Sequence, residues 1–434
     1  MAAQIIAWNS IANDSPGISK WSQTIMNEFN TERPLIMHID LNSCFATVEQ
    51  QARPMLRGRP VAIVNRRTDT TAIVTASYEA KALGVKVGMK LREARQLCPD
   101  IIGLESDPAK YRFVYHKLLD IMHDYSAHVT MKSIDEGVVD FHDTTAVIQG
   151  RNLEDVGIEI KQRLKDEIGI WMRCNVGIST NLFLAKTAAG LHKPDGLDII
   201  TPDNLKEVLR TLKLTDLTGI AGRNEKRLGS VGIFTPLDFL DADVATLQKV
   251  VFKSVVGQWW HKRLRGWEVD DVESAVKRVG RQYVLESFDL SYDQILQRLH
   301  HLCESVGSRM RGQNKAARGI YVYGKTLERT YWHASSMSQV AFCSDQTIYS
   351  QAQRLFEHAP MGLKEIGIHC YELEDIDDPQ LSLFKDQIVR ERQITGAIDD
   401  INKQFGERTI HSADTLGTGI YVKQKVPFGS TRYL

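Results

Sequence analysis

Two apolar runs in this 434-residue chain end in acids instead of continuing through a core. PLIMHIDLN reads as a β-strand that stops at Asp40, and MKSIDEGVVDF sets Asp135 and Glu136 side by side between Ile134 and the apolar Val138 and Val139. Successive side chains on a strand point to opposite faces, so Asp135 and Glu136 can act on one ligand only at a strand end, bend or bulge, which Gly137 permits. An Asp-Glu pair at a turn is as a rule simply solvated; a second strand ending in Asp40 favours ligation. Three carboxylates converging from adjacent strands supply hard oxygen ligands for octahedral Mg²⁺, with room left for substrate phosphates. A pair of such ions about 3.5–4 Å apart activates an attacking hydroxyl and stabilises the leaving oxygen of an in-line phosphoryl displacement. The chemistry favoured is nucleotidyl transfer.

The rest of the chain reads as a mixed α and β protein, and at ~150 residues per domain it should hold two to four domains. VAIVN and TAIVTAS, joined by the polar RRTDT, are expected to be a hairpin or adjacent strands. SYEAKALGVKVGMKLREARQLCP has helical spacing broken by glycines. YRFVYHKLLDIMHDYSAHV is expected to be a helix with Phe113, Leu118, Ile121 and Met122 on its buried side. Residues 158–171 suggest another helix, RCNVGIST a strand, and NLFLAKTAAGLHK a helix entered just after Ser179 and Thr180 and stopped by Pro194 to Gly196. A run of small, glycine-punctuated helices follows as a separate unit. From about Gly280 the order strand, helix, two strands, helix, strand predicts a βαββαβ sandwich. Beyond Asp375 an acidic linker leads to QLSLF and a tail of about fifty residues.

Composition narrows the setting. Hydrophobic residues at 43% and charged residues at 25% are those of an ordinary soluble globular protein. No stretch approaches the ~20 apolar residues of a membrane span, and the N-terminus lacks a signal-peptide pattern, so a cytoplasmic location without membrane contact is expected. Cys44, Cys98, Cys174, Cys303, Cys343 and Cys370 form no CxxC pair, which favours reduced core thiols over structural zinc. The net charge of zero argues against a uniformly basic nucleic-acid binder. Residues 277–329 nevertheless carry ten Lys or Arg against five acids. That excess is either a phosphate-facing surface or a solvated helix face.

Anion-binding groups are also in view. Tyr78 and Lys81, three apart on an expected helix, share a face and offer a hydroxyl and a cation; Lys186, one turn into another helix, offers a second cation. Taken singly, each reads better as an ordinary surface lysine or a half-buried tyrosine.

Taken together, HIDLNSCFATVE, TASYEAKALGVKVGM, YSAHVTMKSIDEGVVDF and VGISTNLFLAKTAAGLHKPDGL resemble, in order and spacing, the Y-family translesion DNA polymerases over roughly residues 35–375. The resemblance implies an α+β, multidomain right-hand polymerase. Its parts would be a palm (35–50 and 105–196), fingers (51–104), a helical thumb (197–270), a linker (271–279) and a βαββαβ little finger (280–375), with an N-terminal extension (1–34) and a tail (376–434). It implies low-processivity translesion synthesis, in which the primer 3′-hydroxyl attacks the α-phosphate of a deoxynucleoside triphosphate on primer-template DNA. Two Mg²⁺ ions per active site are implied, held by Asp40, Asp135, Glu136 and the main-chain carbonyl of Leu41, the three acids being the catalytic residues. Phe45, five positions after Asp40, matches the steric gate that excludes a 2′-hydroxyl. Thr75, Tyr78, Lys81 and Lys186 match triphosphate-binding positions. Lys81 stands where the family has Arg, keeping the charge but losing the bidentate fork, and Asn42 replaces a frequent second Asp.

DNA contacts are implied at the GIAGR turn of the thumb, through Gly219 and Gly222, with Ala221 where the pattern usually has glycine. On the little finger they fall to Arg281, Arg309, Arg311, Lys315, Arg318 and Lys325. Gln380, Leu381, Ser382, Leu383 and Phe384 resemble the motif that binds the bacterial sliding clamp, the beta subunit of DNA polymerase III, as a short extended peptide. The chain is expected to be monomeric and to lack proofreading. EAKALGV and the long tail are also features of a type whose catalytic subunit needs partner subunits. From another class, a non-catalytic adaptor would use QLSLF alone, but retention of all three acids argues against it.

Overall fold

The structure, a computed structural model, describes residues 29–144, 150–270, 276–376 and 385–423, with the side chains of 385–389 left aside. The N-terminal extension up to residue 28 and QLSLF (380–384) lie outside the described residues. Two compact units are present, residues 29–270 and 276–423.

In the first unit, β1 (Ile36–Leu41) leads into α1 (Cys44–Ala52). A three-stranded sheet follows, built from β2 (Val61–Val64), β3 (Ile73–Ala76) and, after α2 (Tyr78–Ala82) and α3 (Leu91–Leu97), β4 (Ile102–Glu105). β2 is central, antiparallel to β3 as the hairpin reading expects and parallel to β4. Next come α4 (Pro108–His123), β5 (Val129–Met131), β6 (Glu136–Asp140), α5 (Leu153–Glu167), β7 (Cys174–Ser179), α6 (Leu182–Leu191) and β8 (Leu197–Ile199). The larger sheet has the order β5-β6-β1-β7-β8, with β1 central and antiparallel to both neighbours.

Alternation along β1 assigns its two faces. Met37, Ile39 and Leu41 enter the main core with Leu118 and Ile121 of α4 and Val156 and Ile160 of α5, whereas Ile36 packs with Val138 against Ala185 of α6. His38 and Asp40 share the parity of Ile36 and so lie on the α6 side. Gly177 of β7 lets α6 approach: a Cβ there would stand 2.0 Å from the Ala185 carbonyl oxygen and 2.2 Å from the Ala189 nitrogen.

Two sequence expectations need correction in this unit. Phe113 is 58% exposed, because the buried stripe of α4 is Tyr111, Val114, Tyr115, Leu118, Ile121 and Met122, spaced at three and four residues, and Phe113 falls outside it. The helix expected over 158–171 begins at Leu153, capped by the Asn152 side chain, and ends at Glu167, whereas α6 starts just after Ser179 and Thr180 as expected, capped by Asn181. Short helices complete the unit, among them α7 (Leu205–Thr211), α8 (Gly222–Gly229), α9 (Pro236–Asp241) and α10 (Val256–Leu264), with helical turns at 214–216 and 244–251 between them. They surround Leu228, Phe239 and Trp260 and share that core with Phe183 and Leu184 of α6.

The second unit runs β9 (Arg278–Val284), α11 (Tyr292–Arg311), β10 (Lys315–Thr326), β11 (Tyr331–Phe342), α12 (Asp345–Phe356) and β12 (Leu363–Asp375), the βαββαβ order. Its antiparallel sheet has the order β11-β10-β12-β9. Much of what reads in sequence as a tail is folded: α13 (Lys385–Phe405) and the 3₁₀ turns at 413–415 and 418–420 belong to this unit. All six cysteines are buried free thiols.

Candidate active site

The β1–β6 ladder pairs Asp40 directly with Glu136, and the Leu41 N–H donates to the Asp135 carbonyl at 2.8 Å. Cross-strand partners share a face, so Asp40 and Glu136 stand together on the α6 side. Asp135 occupies a bend just before β6, closed by Lys132 and Ser133 N–H groups that both donate to the Glu136 carbonyl, at 3.0 and 3.2 Å. The bend releases Asp135 from strict alternation. Burial raises the Asp135 pKa, and repulsion from Asp40 and Glu136 adds to the rise.

Cations answer this negative charge. The Lys186 ammonium donates to both Glu136 oxygens, at 2.9 and 2.7 Å, and buried His38 approaches the same carboxylate at 3.4 Å. Burial alone would raise the Glu136 pKa, but His38 and Lys186 outweigh it and bring it to about 2. Lys193 pairs with Asp40, and the Ser133 hydroxyl donates to Asp135. The three acids thus meet at one end of the sheet, while their oxygens turn to separate partners; among the described residues no three Asp, Glu, His or Cys form a grouped metal site. The donor set still fits a divalent cation, with three hard carboxylates whose mutual repulsion is felt at Asp135.

Lys193 was not singled out in sequence, where HKPDG reads as a helix stop. Its placement depends on Asn42, which is buried: Asn42 Nδ2 donates to Asn175 Oδ1, and the Asp195 N–H donates to Asn42 Oδ1, each at 2.7 Å. Asn175 in turn donates to the His192 carbonyl at 3.1 Å, so both flanks of Lys193 are tied to the sheet. Asn42 is therefore a brace for the 192–195 turn.

On the other side of Asp40, Ser43 adopts a left-handed conformation (φ 46°) and turns the chain from β1 into α1. The Lys81 ammonium donates to Ser43 Oγ at 2.7 Å and lies 4.8 Å over the Tyr78 ring, so α2 does present both groups together. Burial lowers the Lys81 pKa; the charge of Lys193 adds to this and Asp40 opposes it. Thr75 stands on β3 opposite Ile63, three residues before Tyr78. Phe45 is buried, its ring stacked on Tyr111 with centroids 4.3 Å apart.

The expected DNA contacts are more mixed. Gly219 has φ +97°, a conformation suited to glycine, and Gly222 opens α8. Ala221 is the N-cap at φ −103°, where glycine is not required. In the second unit, Arg281 and Arg311 are both engaged with the tail. Arg281 shares the parity of buried Val279 and Tyr283 and donates to the Val422 and Lys423 carbonyls, at 3.3 and 3.2 Å. Arg311 bridges Asp345 at 2.7 Å and Asp399 at 2.6 Å. Arg309 donates to the Gly280 carbonyl at 3.1 Å. Lys315, Arg318 and Lys325 pair across the ladder with Asp375, Glu374 and Glu365, which offsets much of the local basic excess.

Sequence reading also missed the sheet face away from the helices. Tyr321 stacks on His333 at 5.1 Å and on His369 at 4.6 Å, and Tyr323 stacks on Tyr331 at 5.6 Å. This cross-strand ladder of rings, with Arg278 and Lys325 nearby, was legible only as the period-two aromatics of YVY and YWH.

Known proteins resemble this chain over most of its length. Residues 39–190 match the model of the impB/mucB/samB family, and residues 276–383 match that family's C-terminal domain. A DNA polymerase IV of Pelotomaculum thermopropionicum is 32% identical over 389 residues, 88% of this chain and 95% of that protein. One from Moorella thermoacetica is 32% identical over 402 residues, covering 89% and 97%. DNA polymerase IV 1 of Bacillus subtilis is 27% identical, covering 88% and 93%. Among solved structures, a Y-family DNA polymerase chimera superposes with a TM-score of 0.66 at 22% identity, over 78% of this chain and 98% of that one. An insertion ternary complex of Dbh DNA polymerase gives 0.53 at 23% identity over the same shares. The structural likeness is one of fold.

Proposed function

Because this chain belongs to the impB/mucB/samB family, the Y-family DNA polymerases, we propose that it extends DNA primers by itself across damaged templates, using Asp40, Asp135 and Glu136 as ligands of two Mg²⁺ ions. The observation that carries this reading is the β1–β6 register, with Asp40 opposite Glu136 and Asp135 at the adjoining bend. The Leu41 carbonyl, at the end of the same strand, is the fourth ligand. When bound, such ions supply activation of the primer 3′-hydroxyl and neutralisation of the departing pyrophosphate.

The chain's own groups do the rest. Lys186 and Lys193, which neutralise Glu136 and Asp40, pass to triphosphate oxygens once the acids have other partners. Tyr78 and Lys81 donate to the same phosphates from α2, next to Thr75. Phe45, backed by Tyr111, lies beneath the incoming sugar and leaves no space for a 2′-hydroxyl. Residues 35–50 and 105–196 serve as palm, 51–104 as fingers, 197–270 as thumb and 280–375 as little finger. The thumb grips a DNA phosphate through the Gly219–Gly222 turn, and the little finger meets DNA through its aromatic sheet face with Arg278, Lys315, Arg318 and Lys325 at hand. Gln380, Leu381, Ser382, Leu383 and Phe384 tether the enzyme to the sliding clamp, raising its local concentration at the primer end. The working location is the cytoplasm, and the polymerase IV names of the relatives favour a single-chain enzyme. The test is primer extension by the purified chain with Mg²⁺ and four deoxynucleotides. Short templated products are expected; a folded chain that adds no nucleotide refutes the single-chain reading.

A further inference from the structure

One cation at the rim of the site has no role in the account above. Arg173 immediately precedes β7, and its carbonyl accepts the Asn42 N–H at 2.9 Å, which fixes the residue against the turn that also holds Ser43. Its side chain is exposed, and its guanidinium lies over the Trp171 ring, 5.5 Å from the centroid. Among the described residues no carboxylate pairs with it and no hydrogen bond engages it. Its charge acts on Tyr78, whose pKa is raised most by burial and further by Asp40, while the Ser43 hydrogen bond and the Arg173 charge oppose the rise.

The stacking platform is itself rigidly held. The Trp171 N–H donates to Gln51 Oε1 at 2.9 Å and its indole Nε1 to Gln50 Oε1 at 3.2 Å, so two residues of α1 fix the ring. Gly169 (φ +147°) lets the turn close, since a Cβ there would fall 2.0 Å from the Gln51 amide nitrogen. Arg57 lies over the same indole at 5.7 Å. A guanidinium that is stacked, exposed and free of carboxylates keeps its planar fork available for an oxyanion.

We propose that Arg173 grips the terminal phosphates of the incoming deoxynucleoside triphosphate, supplying from the start of β7 the two-point contact that Lys81, as a single ammonium, cannot make from α2. The inference rests on the polymerase reading and adds a substrate-binding residue to it. Arg173 holds the pyrophosphate after transfer as well, so it acts on the product as on the substrate.

The test is single-nucleotide incorporation by Arg173→Ala and Arg173→Lys chains, with melting temperature as the control for folding. Losing one charge-assisted contact is expected to raise KM roughly tenfold for all four deoxynucleotides, with kcat nearly unchanged. Pyrophosphate inhibition should weaken by a similar factor, and Arg173→Lys should fall between the two. Unchanged KM and pyrophosphate inhibition would overturn the proposal, as would a loss confined to kcat or to one template base. If the native chain incorporates nothing, the polymerase reading fails separately. Calorimetric titration of native and Arg173→Ala chains with magnesium pyrophosphate then decides on Arg173: weaker binding by the variant supports it, and equal binding or none overturns it.

Discussion

Replacing Asn42 with Ala separates a brace from a metal ligand. The side chain is 2% exposed and makes two hydrogen bonds of 2.7 Å, to Asn175 Oδ1 and from the Asp195 N–H. Truncation strands both partners. An unsatisfied buried polar group costs about 1–3 kcal/mol, with the half-buried Asp195 end toward the low side, so the expected loss is about 2–4 kcal/mol. For a unit of this size each kcal/mol is worth ~2–4 °C, which gives a melting transition lowered by roughly 4–16 °C. Because the two bonds flank the Lys193 turn, KM for deoxynucleotides should rise together with the loss of stability. Asn42→Asp keeps an acceptor for the Asp195 N–H but buries a carboxylate oxygen against Asn175 Oδ1, so it should be no milder than Asn42→Ala. Scanning calorimetry of the whole chain, with KM measured beside it, is the assay. A shift below about 2 °C with KM unchanged refutes the brace. A raised Mg²⁺ requirement with full stability would instead make Asn42 a ligand.

Two further expectations follow from buried groups. Phe45→Val should open the sugar pocket and raise the ribonucleotide-to-deoxynucleotide ratio by about 10–200-fold, at a cost of ~1–3 kcal/mol for the lost Tyr111 stack; competition between the two nucleotide types checks this, and an unchanged ratio makes Phe45 a core residue only. His261 of α10 is buried, and burial, reinforced by Arg265, lowers its pKa to about 4. Its folded pKa is therefore depressed below the unfolded value of about 6.5, so stability is full above pH ~6.5 and is lost as pH falls toward ~4. Calorimetry across that range should show a slope that flattens in His261→Gln; identical slopes would refute the assignment.

What the sequence made legible was whatever local pattern controls. Asp40, Asp135 and Glu136 stand out because acids interrupting apolar runs must lie at strand ends, and the βαββαβ order shows in its alternation. The parity of Arg281 with Val279 and Tyr283 also shows which sheet face it shares. Other features have no local signature. The Arg311 bridge joins residues 34 and 88 positions away, and it needs Gly307, whose Cβ would stand 2.0 Å from Asp345 Oδ1. Lys193 looked like a helix terminus because its partner Asp40 is 153 positions distant. The fold of the tail has no local signature because its fixed points, Arg408 on Glu304 and His301 on Thr418, are likewise long-range.

The central claim is that the paired acids of β1 and β6 carry out metal-dependent nucleotidyl transfer. The direct measurement sets the native chain beside an Asp135→Ala/Glu136→Ala chain in primer extension with Mg²⁺, both first shown to be folded. Templated products are expected from the native chain, none when Mg²⁺ is chelated, and none from the double variant. Extension by the double variant at the native rate would contradict the claim.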